Sequence, residues 1–467
     1  MRFGGVGYAP AVFSHYAEEE DRRVRRNAKL AGAVFVLGLL GVLIGPRLRT
    51  AWTREDAWAG EFVVSRGVGL DEAGGVPWRR VHEELLPSWI VALGGSPSEE
   101  EAAFHRLTSA LEPDEELRSL AVALREFGRD PAGESEALFD LSRRWSQRLD
   151  ERGVGWRIEA GVVGGPRPFF YVKSYEVVAD GRAKVGEAEH RVRLLRRADN
   201  LNVREGWLGH TATVEEGGLV VIHRILDFAA DDLWPIFAED PEDTDPLRRA
   251  FARSVMSEAR VLPADVLEIL RDTAPDRLAM REAWDAVIER TACSHVNVPP
   301  VPWNGFDLRG RESIERLVEP YVPCPAVKRG EADALIDGSR SLRRTRDLDR
   351  ALAYLVGWVA RGVSVHELQH AADLGRELSP FESERSAYLT SFSTEGVAAV
   401  ALFQACVANR DGWGTHAEAL ADSGLDCAAP PDSPVATAQA RLAELGSPYQ
   451  PVVLPEQFAI TLPLPGE

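Results

Sequence analysis

Residues 363–372 read Val363-Ser364-Val365-His366-Glu367-Leu368-Gln369-His370-Ala371-Ala372. Glu367 is the only acid in this run and no proline interrupts it, so the segment predicts a continuous helix with apolar flanks. Residues four apart on a helix share a face, and His366 and His370 therefore point the same way. Two imidazoles placed like this can ligate one zinc ion, while Glu367 between them sits over a zinc-activated water as its general base. Read outward, the same pattern predicts a long helix from Asp347 to Leu374 that stops at Gly375, a natural C-terminal cap.

A catalytic zinc takes three protein ligands and keeps a fourth position open. Downstream of the histidine pair stand Glu377, Glu382, Glu384 and Glu395. Ser379-Pro380-Phe381-Glu382 has the form of a capping box, with Ser at the N-cap, Pro at the first helical position and Glu reaching back, which gives Glu382 a structural task. In the helix so started, Phe381, Glu384, Tyr388 and Phe392 follow the three-and-four spacing of one face that is otherwise apolar or aromatic. An unpaired carboxylate in such a stripe is costly to bury, so a metal is the expected partner of Glu384, with Glu382 as the alternative third ligand. Tyr388, by helical spacing, and His416, after the loop Asp411-Gly412-Trp413-Gly414-Thr415, are candidates for an oxyanion donor or for orienting the ligands.

His366-Glu367-Leu368-Gln369-His370 followed by Glu384-Arg385-Ser386-Ala387 resembles the gluzincin class of zinc metallopeptidases, in which a Glu on the next helix completes the site. The resemblance covers residues 363 to about 392. It implies that His366, His370 and Glu384 bind zinc and that Glu367 is the general base. Many gluzincins carry Asp four residues after the ligand Glu, as partner to a ligand His; here that position is Tyr388. The orienting acceptor is then expected elsewhere, for instance a backbone carbonyl. The metzincin pattern is absent, since Asp373 and Arg376 stand where it requires Gly and His.

Near the N-terminus, Leu30 to Ile44 carries no charged or strongly polar residue, and Gly45-Pro46 extends it slightly. The run is shorter than the roughly 20 residues of a comfortable span, which raises a cleaved signal peptide as one reading. The first Ala-x-Ala site, Ala57-Trp58-Ala59, lies beyond Arg47, Arg49 and Arg54. Residues 30–46 are therefore expected to be an uncleaved transmembrane signal anchor. Arg22, Arg23, Arg25, Arg26 and Lys29 precede it, so the N-terminus is expected in the cytoplasm and the main domain outside it.

The four cysteines, Cys293, Cys324, Cys406 and Cys427, all follow this run, and none is in a two-residue spacing suited to zinc. In an exported domain they suggest disulfides, with three connectivities open. Pairing of neighbours, Cys293 with Cys324 and Cys406 with Cys427, is the favoured one. The net charge of −19 argues against a nucleic-acid partner, whose phosphates would be repelled. The sequence does not fix an oligomeric state.

The fold class expected is α+β, with an N-terminal membrane anchor, a helical module, an antiparallel β-rich segment and a mainly helical zincin-like catalytic half. A cytoplasmic tail (1–29) and the anchor precede the helical module (51–150), whose helices are predicted at Glu99 to Leu111, Asp114 to Phe127 and Glu134 to Leu149. The β-rich segment (151–237) is predicted to hold strands at Trp156 to Val163, Phe169 to Val178, His190 to Leu195, Gly209 to Val214 and Leu219 to Leu226. Asp180-Gly181 and Gly217-Gly218 are hairpin signals between them. An acidic linker, Ala238 to Asp245, leads into the metallopeptidase-like part (246–428). There helices are predicted at Pro246 to Ala259, Pro263 to Arg271 and Asp276 to Arg290, followed by a cleft-lining loop, Val296 to Gly310. A Pro-rich tail (429–467) is expected to be extended. The function expected is zinc-dependent hydrolysis of peptide or protein substrates. The alternatives are a non-catalytic cell-envelope protein with a structural or vestigial zinc site, and a zinc hydrolase acting on another bond.

Overall fold

A computed structural model describes residues 73–129, 135–163, 169–199, 208–211, 217–240, 243, 245–291, 346–410, 412, 414–447 and 449–454. The expected anchor at 30–46, Cys293, Cys324 and the loop from Val296 to Gly310 lie outside the described residues. Among the described residues, no helix is long and apolar enough to cross a membrane. These residues fall into two units, one of 73–176 with 198–199, the other of 177–197 and 208–454.

The first unit begins with a helical segment that the sequence reading missed, Trp78–Arg80, a π turn at Val81–Leu85, and α1 (Leu86–Ala92). The expected three helices follow as α2 (Pro97–Ala110), α3 (Glu115–Arg129) and α4 (Ser135–Glu151). A capping box of Ser96 with Glu99 starts α2. Strand β1 (Trp156–Val163) pairs antiparallel with the first half of β2 (Phe169–Val185), from Trp156 opposite Glu176 to Val163 opposite Phe169. On the other side of β1, Ser142 Oγ accepts from Ala160 N at 2.9 Å and Ser146 Oγ from Ile158 N at 3.3 Å. Serines of α4 thus satisfy amides that this strand edge would leave unpaired.

The core of this unit closes around a histidine. Trp78, Trp89, Trp145 and His82 are fully buried. The His82 ring stacks on Trp156 with centroids 4.9 Å apart, while its Nδ1 lies 2.9 Å from Trp78 O and Trp145 Nε1 donates to its Nε2 at 3.4 Å. These contacts suit a neutral ring, and burial pushes its pKa down from 6.5 to about 4. A histidine held neutral by the fold stabilises fully above its unfolded pKa, and that stability drains away as pH falls from 6.5 toward 4. The loss expected from this one group is about 3 kcal/mol. Urea midpoints measured from neutral pH to pH ~4 should show the gap between wild type and His82→Gln narrowing by that amount. A gap constant with pH would contradict the account.

In the second unit, β2 continues from Val177 to Val185, turns at Gly186 (φ 58°) and returns as β3 (Ala188–Arg197). Asp180-Gly181 is therefore not the hairpin turn that its composition predicted. The Asp180 carboxylate accepts from Arg191 Nε at 2.8 Å, and this cross-strand pair holds the chain extended. β3 pairs in parallel with β5 (Gly218–Val221), and β5 pairs antiparallel with β4 (Gly209–Thr211). The sheet is mainly antiparallel, as expected, with this one parallel pair among its described ladders. The predicted strand at Leu219 to Leu226 ends at Val221. Helix α5 (Ile222–Phe228) takes over there, followed by a π turn (Ala229–Leu233) and Trp234–Ile236. Ile222, Ile225 and Ala229 are buried, a three-and-four spacing that a short apolar run does not distinguish from a buried strand.

In the acidic stretch before α6 (Pro246–Glu258), Glu239 and Asp240 are exposed while its end is tied to the helix. Asp243 is buried and accepts from Arg248 Nε at 2.6 Å, and Asp245 caps α6 by accepting from Leu247 N at 2.8 Å. The two helices predicted on either side of Pro275 are one, α7 (Ala264–Thr291). Its second half is anchored by the fully buried Arg277, which pairs with Asp231 of the π turn and donates to Ala230 O at 2.8 Å, so packing carries the helix across the proline.

Helix α8 (Arg346–Asp373) packs against β3, β4, β5 and α7. It also packs on the next two helices, α9 (Pro380–Phe392) and α10 (Ala398–Ala408). Gly375 ends the α8 region with φ 88°, the left-handed cap expected of it. After α11 (Gly414–Asp422), the expected bond between Cys406 and Cys427 is formed, with Cα atoms 5.7 Å apart. The Pro-rich end is not simply extended. Ser433-Pro434 opens α12 (Pro434–Glu444), which buries Ala438 and Leu442, and β6 (Val452–Val453) joins the end of β2.

Candidate metal centre

The site lies within the second unit, on α8, α9, α11 and the β4–β5 pair. Its first requirement is local: Ser379 Oγ accepts from Glu382 N, and Glu382 Oε2 accepts from Ser379 N at 2.8 Å. The capping box thus occupies Glu382 as the sequence indicated. Half a turn on, Glu384 meets α8. His366 Nε2 and His370 Nε2 are 3.1 Å apart, His366 Nε2 is 3.4 Å from Glu384 Oε2, and His370 Nε2 is 3.5 Å from Glu384 Oε1.

The size of this triangle is informative. Four donors at about 2.0–2.1 Å from a tetrahedral metal lie about 3.3–3.4 Å from one another. Two neutral imidazoles also turn lone pairs on each other unless a proton or a cation lies between them. Glu384 Oε2 is buried and makes no well-formed hydrogen bond, although His416 Nδ1 stands 3.0 Å away. The N,N,O donor set and this orphaned oxygen fit a divalent metal such as zinc, and His366, His370 and Glu384 form a group that could hold one.

The electrostatics agree with that reading. Burial pushes the His366 pKa down to about 4, leaving the neutral ring that a metal requires. Burial acts the same way on His370, but Glu384, Glu367 and Asp373 outweigh it and raise the net value. With their Nε2 atoms 3.1 Å apart, the two rings titrate as a coupled pair. For Glu384, burial favours the neutral acid, yet three imidazoles outweigh it and hold the carboxyl well below the usual range.

His370 is oriented by a hydroxyl, since its Nδ1 lies 2.9 Å from Ser383 Oγ, which leaves Nε2 for the metal. The acceptor thus sits on the next helix, and the sequence had suggested a backbone carbonyl. Tyr388 takes another part: its ring stands edge-on to His366 with centroids 4.9 Å apart, and its hydroxyl accepts from Asn409 Nδ2 at 3.1 Å. His416 lies with Nδ1 3.4 Å from the Tyr388 hydroxyl, and its side chain is 59% exposed. It therefore reaches the site through Glu384 and Tyr388, at the solvent side.

Glu367 is buried against the sheet, 5% exposed, and Thr211 Oγ1 lies 2.9 Å from both its Oε2 and its main-chain oxygen. Burial raises its pKa to about 7, while His370 and the Thr211 hydroxyl pull the other way. Gly209 and Gly218 admit this side chain. A Cβ at Gly209 would fall 2.5 Å from Glu367 Oε1, and one at Gly218 would fall 2.9 Å from Glu367 Cβ. The sequence reading missed Thr211, Ser383 and Asn409. A glycine at either strand, where a neighbour approaches closely, is the signal that could have pointed to the first of them.

Comparison with protein-family models, with curated proteins and with solved structures gives no match.

Proposed function

We propose that this chain is a zinc-dependent peptidase, anchored in a membrane through residues 30–46 with its main domain outside the cytoplasm. The observation that carries the reading is the donor triangle of His366, His370 and Glu384 beside the buried carboxylate of Glu367. Zinc, when bound there, supplies a Lewis acid that lowers the pKa of water and polarises a carbonyl. The chain does the rest. His366 and His370 present Nε2, and Ser383 fixes the His370 ring. Glu367 takes up the proton of the attacking water and passes it to the leaving amine. His416, at the open side, is the candidate donor to the oxyanion, with Tyr388 behind it. The Cys406–Cys427 bond supports an oxidising compartment.

A second reading is a non-catalytic envelope protein whose zinc ties α8 to α9. Tyr388 favours it, because its ring packs on His366 where many gluzincins have an acid that accepts from a ligand histidine. One experiment separates the two. The full chain in detergent micelles should cleave quenched-fluorescence peptides, lose this activity to a zinc chelator and regain it on adding zinc. A zinc-loaded chain that cleaves no member of a broad peptide library would overturn the peptidase reading and leave the structural zinc or hydrolysis of another bond.

A further inference from the structure

We propose that Thr211 is a positioning residue for Glu367, set in a cradle that β4 and β5 mould around this one side chain. The proposal rests on the reading of Glu367 as general base. A glutamate has three side-chain torsions, and proton transfer needs its carboxylate held in one place. Two observations show how it is held. Thr211 Oγ1 stands 2.9 Å from Glu367 Oε2 and equally far from Glu367 O, so one hydroxyl spans the side chain and main chain of the same residue. Independently, both neighbouring strands lack a Cβ where the glutamate passes: at Gly209 a Cβ would meet Oε1 at 2.5 Å, and at Gly218 it would meet Glu367 Cβ at 2.9 Å. Hydrogen bond and steric mould together fix both ends of the side chain. Oε2 is taken by Thr211, and Oε1, lying over Gly209, is the oxygen left for proton transfer.

The alternative is that Thr211 merely clasps β4 to α8. In the zinc-loaded full chain, Thr211→Val is expected to lower kcat about tenfold or more with KM and zinc content unchanged, and Thr211→Ser to recover kcat to within about threefold. A clasp would not separate kcat from KM in this way. Without zinc and without any substrate, Thr211→Val should lower the thermal midpoint, and the drop should shrink in a Glu367→Ala background. The same drop in both backgrounds, or a kcat untouched by Thr211→Val, overturns the cradle. If Glu367→Gln turns over like wild type, the general-base reading falls instead, and the thermal comparison still decides whether the cradle exists.

Discussion

Replacing His370 by Ala is expected to take the purified chain from about one bound zinc to essentially none. Three features of the site make the effect large. His370 supplies a nitrogen 3.1 Å from His366 Nε2 and also one of the three imidazole contacts to the Glu384 carboxylate. Its ring is the one whose other nitrogen is fixed, by Ser383, so Nε2 is already aimed at the triangle. What remains of the triangle is one imidazole and one carboxylate, and His416, 59% exposed on the far side of Glu384, is not held in the triangle, so the remnant binds divalent metals far more weakly than the tridentate set. Elemental analysis after gel filtration gives the answer directly. Equal zinc in wild type and variant would show that the triangle is not a metal site.

Replacing Glu367 by Gln is expected to separate binding from chemistry, leaving the zinc in place while turnover falls by about a hundredfold to ten-thousandfold. The amide matches the carboxylate in shape, and its oxygen can still accept from Thr211 Oγ1, so the β4–β5 cradle should close around it as before. It offers no site of comparable basicity, and the proton of the attacking water has nowhere to go. Turnover within about twofold of wild type would remove Glu367 from the chemistry. Loss of zinc together with activity would mean that the side chain serves the metal-binding architecture.

How far such a site can be read in advance depends on how local its causes are. The capping box of Ser379 with Glu382 and the left-handed stop at Gly375 are each settled within a few residues, and the reading of both agrees with the structure. With the cap occupying Glu382, helical spacing turns Glu384 inward, where it joins His366 and His370 in a group that could hold a metal ion. The failures share the opposite character. Asp180-Gly181 has the composition of a turn but is held in a strand by Arg191 across the sheet. Pro275 reads as a break, yet Arg277, locked to Asp231 some 46 residues away, keeps the helix whole. Thr211 had no mark at all, because what gives it meaning is a glutamate 156 positions later in the chain.

The donor triangle and the base are gathered over very different lengths of chain. His366, His370 and Glu384 sit on consecutive helices joined by the short link from Leu374 to Ser379, whereas the hydroxyl that holds Glu367 comes from a strand 156 residues upstream. Loop closure is entropically easier over the shorter span, and contacts of low sequence separation form earlier. A helical hairpin of α8 and α9 can therefore assemble the donor triangle while β4 is still undocked. If the triangle holds zinc as proposed, loading is expected to come before Thr211 closes on Glu367 in the order of folding.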